Sequence, residues 1–217
     1  MKIIIFGASS QGRVVLDILK ENKNFEICGF IDNNEQLKGK IVDGIKVLGD
    51  ASTLDDLKNQ GIRSCIVAMG DNRDRCKVAN ELKQKGFHFI NAIHPRAALA
   101  TDVLVGNNVT ISIGAIICVH AVIEDNVIVN SGAIVEHDNI IRNGAHVGPG
   151  VRLAGCVEVG EKTFVGIGAT VIQNIKIGEN SIIGAGAVVL KNVPDNVVVV
   201  GVPAKVIRNT IENDLRG

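Results

Sequence analysis

A repeat of six residues runs through the second half of this 217-residue chain. Every sixth position from Val105 to Val189 is valine, isoleucine or leucine, and no insertion breaks the register. An α-helix repeats about every 3.6 residues and an ordinary strand at every second residue, so neither explains this period. In a solenoid, each group of six forms a short strand and a turn, and three groups close one triangular coil. The repeat therefore predicts a parallel β-helix.

Small side chains accompany the repeat. The position four residues beyond each aliphatic residue is usually alanine or valine, as at Ala115, Ala133 and Val151. Stacked coils bury such a column continuously, which a single coil cannot do. The chain has no tryptophan, no tyrosine and only six phenylalanines, so small aliphatic residues must fill its interior.

Charge and cysteine content argue against several classes of protein. The 23 basic and 23 acidic residues balance, whereas nucleic-acid-binding proteins usually carry a basic excess. No like-charge run and no long apolar run indicates a membrane partner, and the apolar start is too short for a signal peptide. The five cysteines include no C-x-x-C pair, so we expect free thiols and a cytoplasmic location.

The residues before the repeat alternate between strand-like and helix-like patterns. This alternation predicts a small parallel sheet flanked by helices, which forms a first domain over residues 1–92. The motif Ile93-His94-Pro95 marks the change to a second domain over residues 93–217, whose tail after Val189 is expected to cap the solenoid and add one strand. The predicted strands are residues 2–6, 25–31, 64–69 and 87–90. The predicted helices carry Val14, Val15, Ile18 and Leu19, cover residues 51–60 with Ser52 or Thr53 as a cap, and cover residues 72–85.

Three loops of the first domain fall at the carboxyl ends of predicted strands, where parallel sheets bind ligands. The sequence GASSQG over residues 7–12 places a turn of small residues before a helix, whose N-terminal N–H groups can cradle a phosphate. Asp32 lies twenty residues beyond Gly12, where an acid can bind a ribose hydroxyl or a base edge. With residues 70–72, these loops favour a nucleotide ligand over a plain turn. They do not separate a redox dinucleotide from a sugar nucleotide.

Three of the five histidines lie in the repeat, at His120, His137 and His146. Equivalent positions recur every eighteen residues, so His120 stacks one coil below Asp138, and His137 one coil below Gly155. A carboxylate beside an imidazole can hold one ring nitrogen and raise the basicity of the other. His137 is therefore a candidate general base, and a solvated surface histidine fits the same spacing equally well.

A metal site is the competing interpretation of these histidines. Solenoid carbonic anhydrases bind zinc through three histidines, two of them close together in sequence. Here the spacings from His120 to His137 and from His137 to His146 are 17 and 9 residues, so no close pair exists and we predict no metal. His88 and His94, near the domain junction, are expected to be structural.

Segments spread over nearly the whole chain resemble one family. They are IIIFGASSQGRVVLD at the start, GFIDNN, VAMGDNRDR, IHPRA at the junction, VEHD, and VGVPAK at the tail. These segments are similar to the acetyltransferases of bacterial surface-sugar biosynthesis that form the PglD, PerB and NeuD sugar O/N-acyltransferase family. The resemblance implies an α/β Rossmann-like N-terminal domain followed by a left-handed parallel β-helix.

The resemblance also implies roles for individual residues. It makes His137 the general base and Asp138 its acidic partner, a position where the family can carry the longer glutamate. The residues implied for the acetyl-CoA side are His146, Gly155, Val202, Pro203, Ala204 and Lys205. Those implied for the nucleotide side are Gly7, Ala8, Ser9, Ser10, Gln11, Gly12, Asp32, Asn33, Gly70, Asp71 and Asn72.

The function that the resemblance implies is acetyl-CoA-dependent N-acetylation. The acceptor would be the 4-amino group of a nucleotide-linked 4-amino-4,6-dideoxy sugar for bacterial surface glycans, with direct transfer in a homotrimer and no metal. O-acetylation of a sialic acid is the alternative within the family. A non-catalytic solenoid scaffold or nucleotide sensor is the alternative outside it. A redox role is disfavoured because GASSQG lacks the central glycine of G-x-G-x-x-G.

Overall fold

The computed structural model describes residues 1–210. Residues 211–217, which the predicted second domain includes, lie outside the described residues. The first domain is an α/β unit and the second is a three-sided solenoid. Among the described residues, no helix has the length and apolar character needed to cross a membrane.

The first domain contains one sheet with helices beside it. Its strands are β1 Lys2–Phe6, β2 Glu26–Ile31, β3 Ile41–Val42, β4 Ile45–Gly49, β5 Ser64–Val67 and β6 His88–Phe89. Its helices are α1 Ser10–Lys20, α2 Leu54–Asn59 and α3 Asn72–Gln84, with 3-10 turns at Glu35–Leu37 and Ala51–Thr53. The strand order is β3-β4-β2-β1-β5-β6, and every pairing is parallel except that of β3 with β4.

Three details of this domain differ from the sequence-based prediction. The antiparallel β3–β4 hairpin was not predicted; it turns at Asp43-Gly44, where both residues have positive φ, as a two-residue hairpin loop requires. The predicted helix over residues 51–60 begins instead as a 3-10 turn, and its cap is the Asp50 carboxylate, which accepts from Ser52 N at 2.8 Å. In α1, Val15, Ile18 and Leu19 are buried as predicted, whereas Val14 is exposed and Leu16, which was not predicted, is buried.

The second domain is the predicted parallel β-helix, with three faces of two-residue strands. Face 1 comprises β7 Ala92–Ile93, β10 Thr110–Ile111, β13 Ile128–Val129, β16 His146–Val147, β19 Phe164–Val165 and β22 Ile182–Ile183, extended by β24 Val197–Val200 and β25 Lys205–Asn209. Face 2 comprises β8 Ala98–Leu99, β11 Ile116–Ile117, β14 Ile134–Val135, β17 Arg152–Leu153, β20 Thr170–Val171 and β23 Val188–Val189. Face 3 comprises β9 Leu104–Val105, β12 Val122–Ile123, β15 Ile140–Ile141, β18 Glu158–Val159 and β21 Lys176–Ile177.

The first solenoid strand, β7, begins at Ala92, whose N–H donates to Val109 O of the next coil. The tail adds two strands rather than one: β24 continues face 1, and β25 pairs antiparallel with β24.

Successive coils stack in the predicted register of eighteen residues, with Thr110 beside Ile128 and Ile128 beside His146. The repeated aliphatic residues and the small residues four positions later are buried along the axis. Each corner has one position that recurs with φ near +60°, a conformation that favours glycine and asparagine. We name each corner by the faces it joins, so that corner 2–3 lies between faces 2 and 3.

Candidate functional site

The predicted nucleotide loops meet at the carboxyl ends of β1, β2 and β5. The Asp32 carboxylate accepts the Ala8 N–H at 2.7 Å, and Gly7 N donates to Ile31 O at 2.7 Å. A Cβ on Gly7 would lie 2.5 Å from the Ala68 carbonyl oxygen, and one on Gly12 would collide with Gly7 O. The glycines therefore permit a close approach between loops that a larger residue would prevent.

Four of the predicted nucleotide ligands have side chains engaged within the chain, namely Asp32, Asn33, Asp71 and Asn72. One Asp32 oxygen accepts from Ala8 N and the other from Asn34 N at 2.8 Å, so this acid also shapes its own loop. Asn72 is buried, and its amide donates to Lys162 O at 3.0 Å in the solenoid. Its side chain thus joins the two domains, while the Asp71 carboxylate accepts from Arg73 N and Asp74 N at the start of α3.

Arg75 of α3 ties this loop to the solenoid. Only 1% of the residue is exposed, and its guanidinium donates to Met69 O at 2.9 Å and Gly70 O at 3.2 Å in the loop. It also donates to Asn126 O at 2.8 Å and Gly144 O at 2.9 Å at corner 3–1. Burial lowers the pKa of Arg75 to about 10, so the group stays charged at neutral pH among carbonyl dipoles.

His146 lies on face 1, beneath the first domain. It is 7% exposed, and its ring packs edge-on against Phe164 with centroids 5.0 Å apart. Burial and the nearby Arg75 charge lower the pKa of His146 to about 3, so the imidazole is neutral under physiological conditions. Nε2 lies 3.4 Å from the Asn130 amide, whereas Nδ1 has no hydrogen-bond partner within residues 1–210.

His137 and Asp138 form an exposed pair at corner 2–3. Nδ1 of His137 lies 2.8 Å from Oδ2 of Asp138, and about half of each side chain is exposed. The shorter aspartate therefore does reach the imidazole. An ionised carboxylate only accepts hydrogen bonds, so this contact favours the neutral tautomer with the proton on Nδ1, in which Nε2 presents a lone pair.

Gly155 lies one coil above His137, as the coil spacing predicts. A Cβ at this position would fall against the ring, 2.5 Å from Nε2. The Gly155 carbonyl accepts from Asn174 N at 3.1 Å, while its N–H has no backbone acceptor among the described residues. The turn thus leaves room for the imidazole and an unpaired N–H beside it.

The two site histidines point to different sides of the prism. His146 belongs to a strand of face 1, and His137 belongs to corner 2–3, which is the corner opposite that face. One chain therefore cannot bring His137 and His146 to the same substrate. The predicted tail residues lie farther along the axis, at the end of the solenoid, where Ala204 N donates to Val188 O at 2.8 Å.

The coil arithmetic contained signals for neighbours that the sequence analysis did not single out. Asn130 lies one coil below Gly148 and so beside His146, and Cys156 lies one coil above Asp138. Arg75 was a basic residue on an otherwise apolar side of a predicted helix, which is the signal of a buried charge. His94 is buried, with Nδ1 accepting from Arg96 N at 3.0 Å, as a structural histidine would.

Comparisons with known proteins agree with this architecture. The family model described as PglD N-terminal domain matches residues 2–82, and that described as bacterial transferase hexapeptide (six repeats) matches residues 156–191. PerB from Caulobacter crescentus, solved in complex with CoA and GDP-perosamine, is 37% identical with a TM-score of 0.91, over 95% of this chain and 97% of that chain. The chain belongs to the PglD/PerB family of acetyltransferases.

Further members and neighbours extend the comparison. The acetyltransferase domain of PglB from Neisseria gonorrhoeae FA1090, solved with acetyl coenzyme A, is 31% identical with a TM-score of 0.89, over 95% of this chain and 98% of that chain. WeeI from Acinetobacter baumannii AYE, 21% identical with a TM-score of 0.64, over 95% of this chain and 100% of that chain, shares the fold. As a PglD/PerB family member the chain is an acetyltransferase, with a Rossmann-like domain followed by a left-handed β-helix.

Proposed function

We propose that this chain transfers the acetyl group of acetyl-CoA to the 4-amino group of a nucleotide-linked 4-amino-4,6-dideoxy sugar. The observation that carries the proposal is the exposed His137–Asp138 pair on a solenoid whose other domain offers nucleotide-type loops. The similarity to PerB, whose structure holds CoA and GDP-perosamine, supports an amino-sugar acceptor. Both co-substrates would be drawn from the cytoplasm, which stays the predicted location.

His137 acts as the general base in this proposal. An amine must lose its proton in order to attack a thioester, and a positioned imidazole contributes about 10²–10⁴-fold to such a step. The Asp138 carboxylate accepts a hydrogen bond from Nδ1–H of His137. Nε2 of His137 therefore takes the proton from the sugar amine as the amine nitrogen bonds to the acetyl carbon. Collapse of the tetrahedral intermediate then breaks the carbon–sulfur bond. The departing thiolate of CoA receives the proton from His137.

The Gly155 N–H would stabilise the oxyanion of that intermediate. It lies beside the His137 ring and has no backbone acceptor within the described part of the chain. A donor fixed where negative charge develops lowers the barrier without reorganisation. No acyl-enzyme is needed, so the cysteines have no nucleophilic role.

The remaining predicted residues divide between the two co-substrates. We assign His146 to the acetyl end of acetyl-CoA, as the family resemblance implies, and its neutral ring suits a place near an uncharged thioester. The tail residues Val202, Pro203, Ala204 and Lys205 stay predicted contacts of the adenine end. The loops formed by residues 7–12, 32–33 and 70–72 stay the predicted nucleotide contacts.

The active site would form between copies of the chain in a homotrimer. Five exposed apolar residues lie on face 2 and its two corners, at Ile113, Ile116, Val119, Ile167 and Leu190, and such surfaces mark association sites. If three copies place face 2 toward a threefold axis, corner 2–3 of one copy meets corner 1–2 of the next. Corner 1–2 borders face 1, so His137 of one copy would approach His146 of its neighbour.

Thiol release from acetyl-CoA tests the reaction and the acceptor together. The acceptors are UDP-, dTDP- and GDP-linked 4-amino-4,6-dideoxy sugars, with free and CMP-linked sialic acid as the hydroxyl alternatives. We expect turnover with one amino sugar, and a loss of about 10²–10⁴-fold in kcat/KM for His137→Gln.

The matched control for that variant is His120→Gln. His120 lies on the same corner one coil below, and its Nδ1 is 2.6 Å from Asp102 Oδ2. Its replacement should leave turnover within about twofold, since it removes an exposed ion pair of small energetic value. Turnover with sialic acids alone would establish O-acetylation instead, and a folded protein that binds acetyl-CoA but acetylates nothing would contradict the proposed acceptor class.

A further inference from the structure

Corner 2–3 differs in chemistry from the other two corners. At corner 1–2, the recurring positive-φ position is occupied by Gly114, Gly132, Gly150, Gly168 and Gly186. At corner 3–1, it is occupied by Asn108, Asn126, Gly144, Lys162 and Asn180. At corner 2–3, the same position holds His120, Asp138, Cys156 and Asn174, with φ of 61°, 57°, 59° and 60°.

Cys156 is an unexpected residue at such a position. A side chain other than glycine or asparagine in the left-handed region costs about 1–2 kcal/mol, and such conformations concentrate at functional sites. The backbone of Cys156 is fixed by its N–H, which donates to His137 O at 3.0 Å. Its thiol is free and exposed, although the proposed transfer reaction does not use it.

Three different metal-binding groups meet beside this thiol. A ring nitrogen of His137, an Asp138 carboxylate oxygen and Cys156 Sγ all lie within 4.8 Å of one another. The stacking of consecutive coils places Cys156 directly above Asp138, and Gly155 leaves open space beside the ring. Small rotations of three exposed side chains would therefore bring the ligand atoms to the distances of a single ion.

We propose that His137, Asp138 and Cys156 form an inhibitory binding site for Zn²⁺. A thiolate, an imidazole and a carboxylate form a mixed sulfur, nitrogen and oxygen set that suits zinc, whereas Mg²⁺ and Ca²⁺ prefer sites made only of oxygen ligands. Three protein ligands leave a fourth tetrahedral position for water. The three side chains are exposed in the single chain, and in a trimer the route by which the co-substrates reach His137 would also admit the ion.

Inhibition follows from the identity of the ligands. Zinc held here would take the Asp138 carboxylate and a ring nitrogen away from the His137 proton chemistry, so the base could no longer accept the amine proton. This consequence rests on the proposed function. Binding of the ion rests only on the three side chains, so the two parts can fail separately.

Direct binding is measured first, by competition with a chromophoric chelator and tag-free protein. We expect one Zn²⁺ per chain, and affinity at least about tenfold lower in Cys156→Ser, since losing a metal ligand costs at least as much as losing an outer-shell partner. His137→Gln should weaken binding similarly. The matched control is Cys118→Ser, which removes a thiol at the same corner that lies outside the ligand group.

Acetyl transfer is then titrated with Zn²⁺, with each variant normalised to its own activity without metal. Wild type and Cys118→Ser should be inhibited over the range in which they bind zinc and recover with EDTA, while Cys156→Ser should need at least about tenfold more zinc. Equal affinity in wild type and Cys156→Ser, or no binding below about 100 µM, would overturn the site. Zinc bound with full activity retained would overturn its inhibitory role alone.

Discussion

At corner 2–3, the size of a single residue decides where the His137 ring can lie. Gly155 is the neighbour that matters, because a Cβ there would occupy the space of the imidazole. The backbone of Gly155 does not have positive φ, so alanine introduces a collision without backbone strain. The position is therefore constrained by the site and not by the turn.

Gly155→Ala is expected to lower kcat about 10²-fold, since a displacement near 1 Å can cost that much, with little change in thermal stability. Gly61→Ala is the opposite control. Gly61 has φ of +81° and open space around it, so alanine there should lower stability by about 1 kcal/mol and leave kcat unchanged. Thermal unfolding and initial rates check both variants, and normal activity in Gly155→Ala would refute the contact.

His146 should make stability depend on pH. The pKa of His146 is about 3 in the folded protein, against an ordinary value of 6.5. At a pH between these two values, the imidazole is protonated in the unfolded chain and neutral in the folded chain. Stability contributed by the neutral ring is therefore present above pH 6.5 and is lost as pH falls, by about 1.4 kcal/mol per pH unit.

Urea unfolding of wild type and His146→Gln checks this linkage, at fixed protein concentration between about pH 7 and about pH 4. The variant should lose stability less steeply than wild type over that range. Parallel pH profiles for the two proteins would show that His146 titrates normally in the folded state.

Single residues were predictable where the coil spacing determined their neighbours. That spacing placed Gly155 above His137 and brought His120 and Asp138 to one corner. The coil spacing did not predict that the Asn72 amide donates to the solenoid, or that both Asp32 carboxylate oxygens accept from backbone N–H groups. The Asn72 contact depends on how the two domains dock, and the Asp32 contacts depend on local loop geometry; no periodicity encodes either.

Among the elements, helix α3 connects the two domains most directly. The helix begins at the loop of residues 70–72. Asp71 caps its first turn by accepting from Arg73 N and Asp74 N at 2.9 Å. One turn later, Arg75 reaches carbonyls of both domains. Helix α3 therefore ties the loop of residues 70–72 to corner 3–1 of the solenoid.

Arg75→Met should therefore lower the free energy of unfolding by at least about 3 kcal/mol, because several buried carbonyls lose their donor. It should also raise KM for the nucleotide sugar more than KM for acetyl-CoA. Asn108→Gly is the comparison variant: it removes the Asn108 oxygen that accepts from Val67 N at 2.7 Å, a contact between the domains that does not touch residues 70–72.

We expect Asn108→Gly to lower stability while leaving both KM values unchanged. Urea unfolding and steady-state kinetics distinguish the variants. An Arg75→Met protein that is only less stable, with both KM values at wild-type level, would limit Arg75 to a structural role.

Elements with a strong period were predictable, and those defined by local turn chemistry were not. Fifteen hexads fixed the solenoid without ambiguity, since no other structure repeats every six residues. The strands of the β3–β4 hairpin are too short to show alternating apolar and polar residues. Its one sequence signal is the turn pair Asp43-Gly44. Strand β25 folds back on β24 by antiparallel pairing, so it lies outside the six-residue register that predicted the strands of the solenoid.

For the whole molecule, the proposed roles of His137 and His146 imply that one chain does not contain a complete site. His137 and His146 face opposite sides of a rigid prism, and the interior between them is a packed apolar column. No hinge within the solenoid can close that gap. If both histidines serve one acetyl transfer, neighbouring copies must supply them, and the apolar residues of face 2 provide a surface on which copies can associate.

The most direct test of this account is activity in mixed assemblies of two inactive variants. His137→Ala and His146→Ala chains are co-expressed with different affinity tags and purified through both tags, so that every trimer contains both variants. In a cyclic trimer, one junction in each mixed assembly then pairs an intact His137 with an intact His146, so acetylation of the amino sugar should return to about one third of the wild-type rate. If the mixed trimers were as inactive as either variant alone, the site would lie within one chain or would not use both histidines. Either result would contradict an active site shared between neighbouring copies.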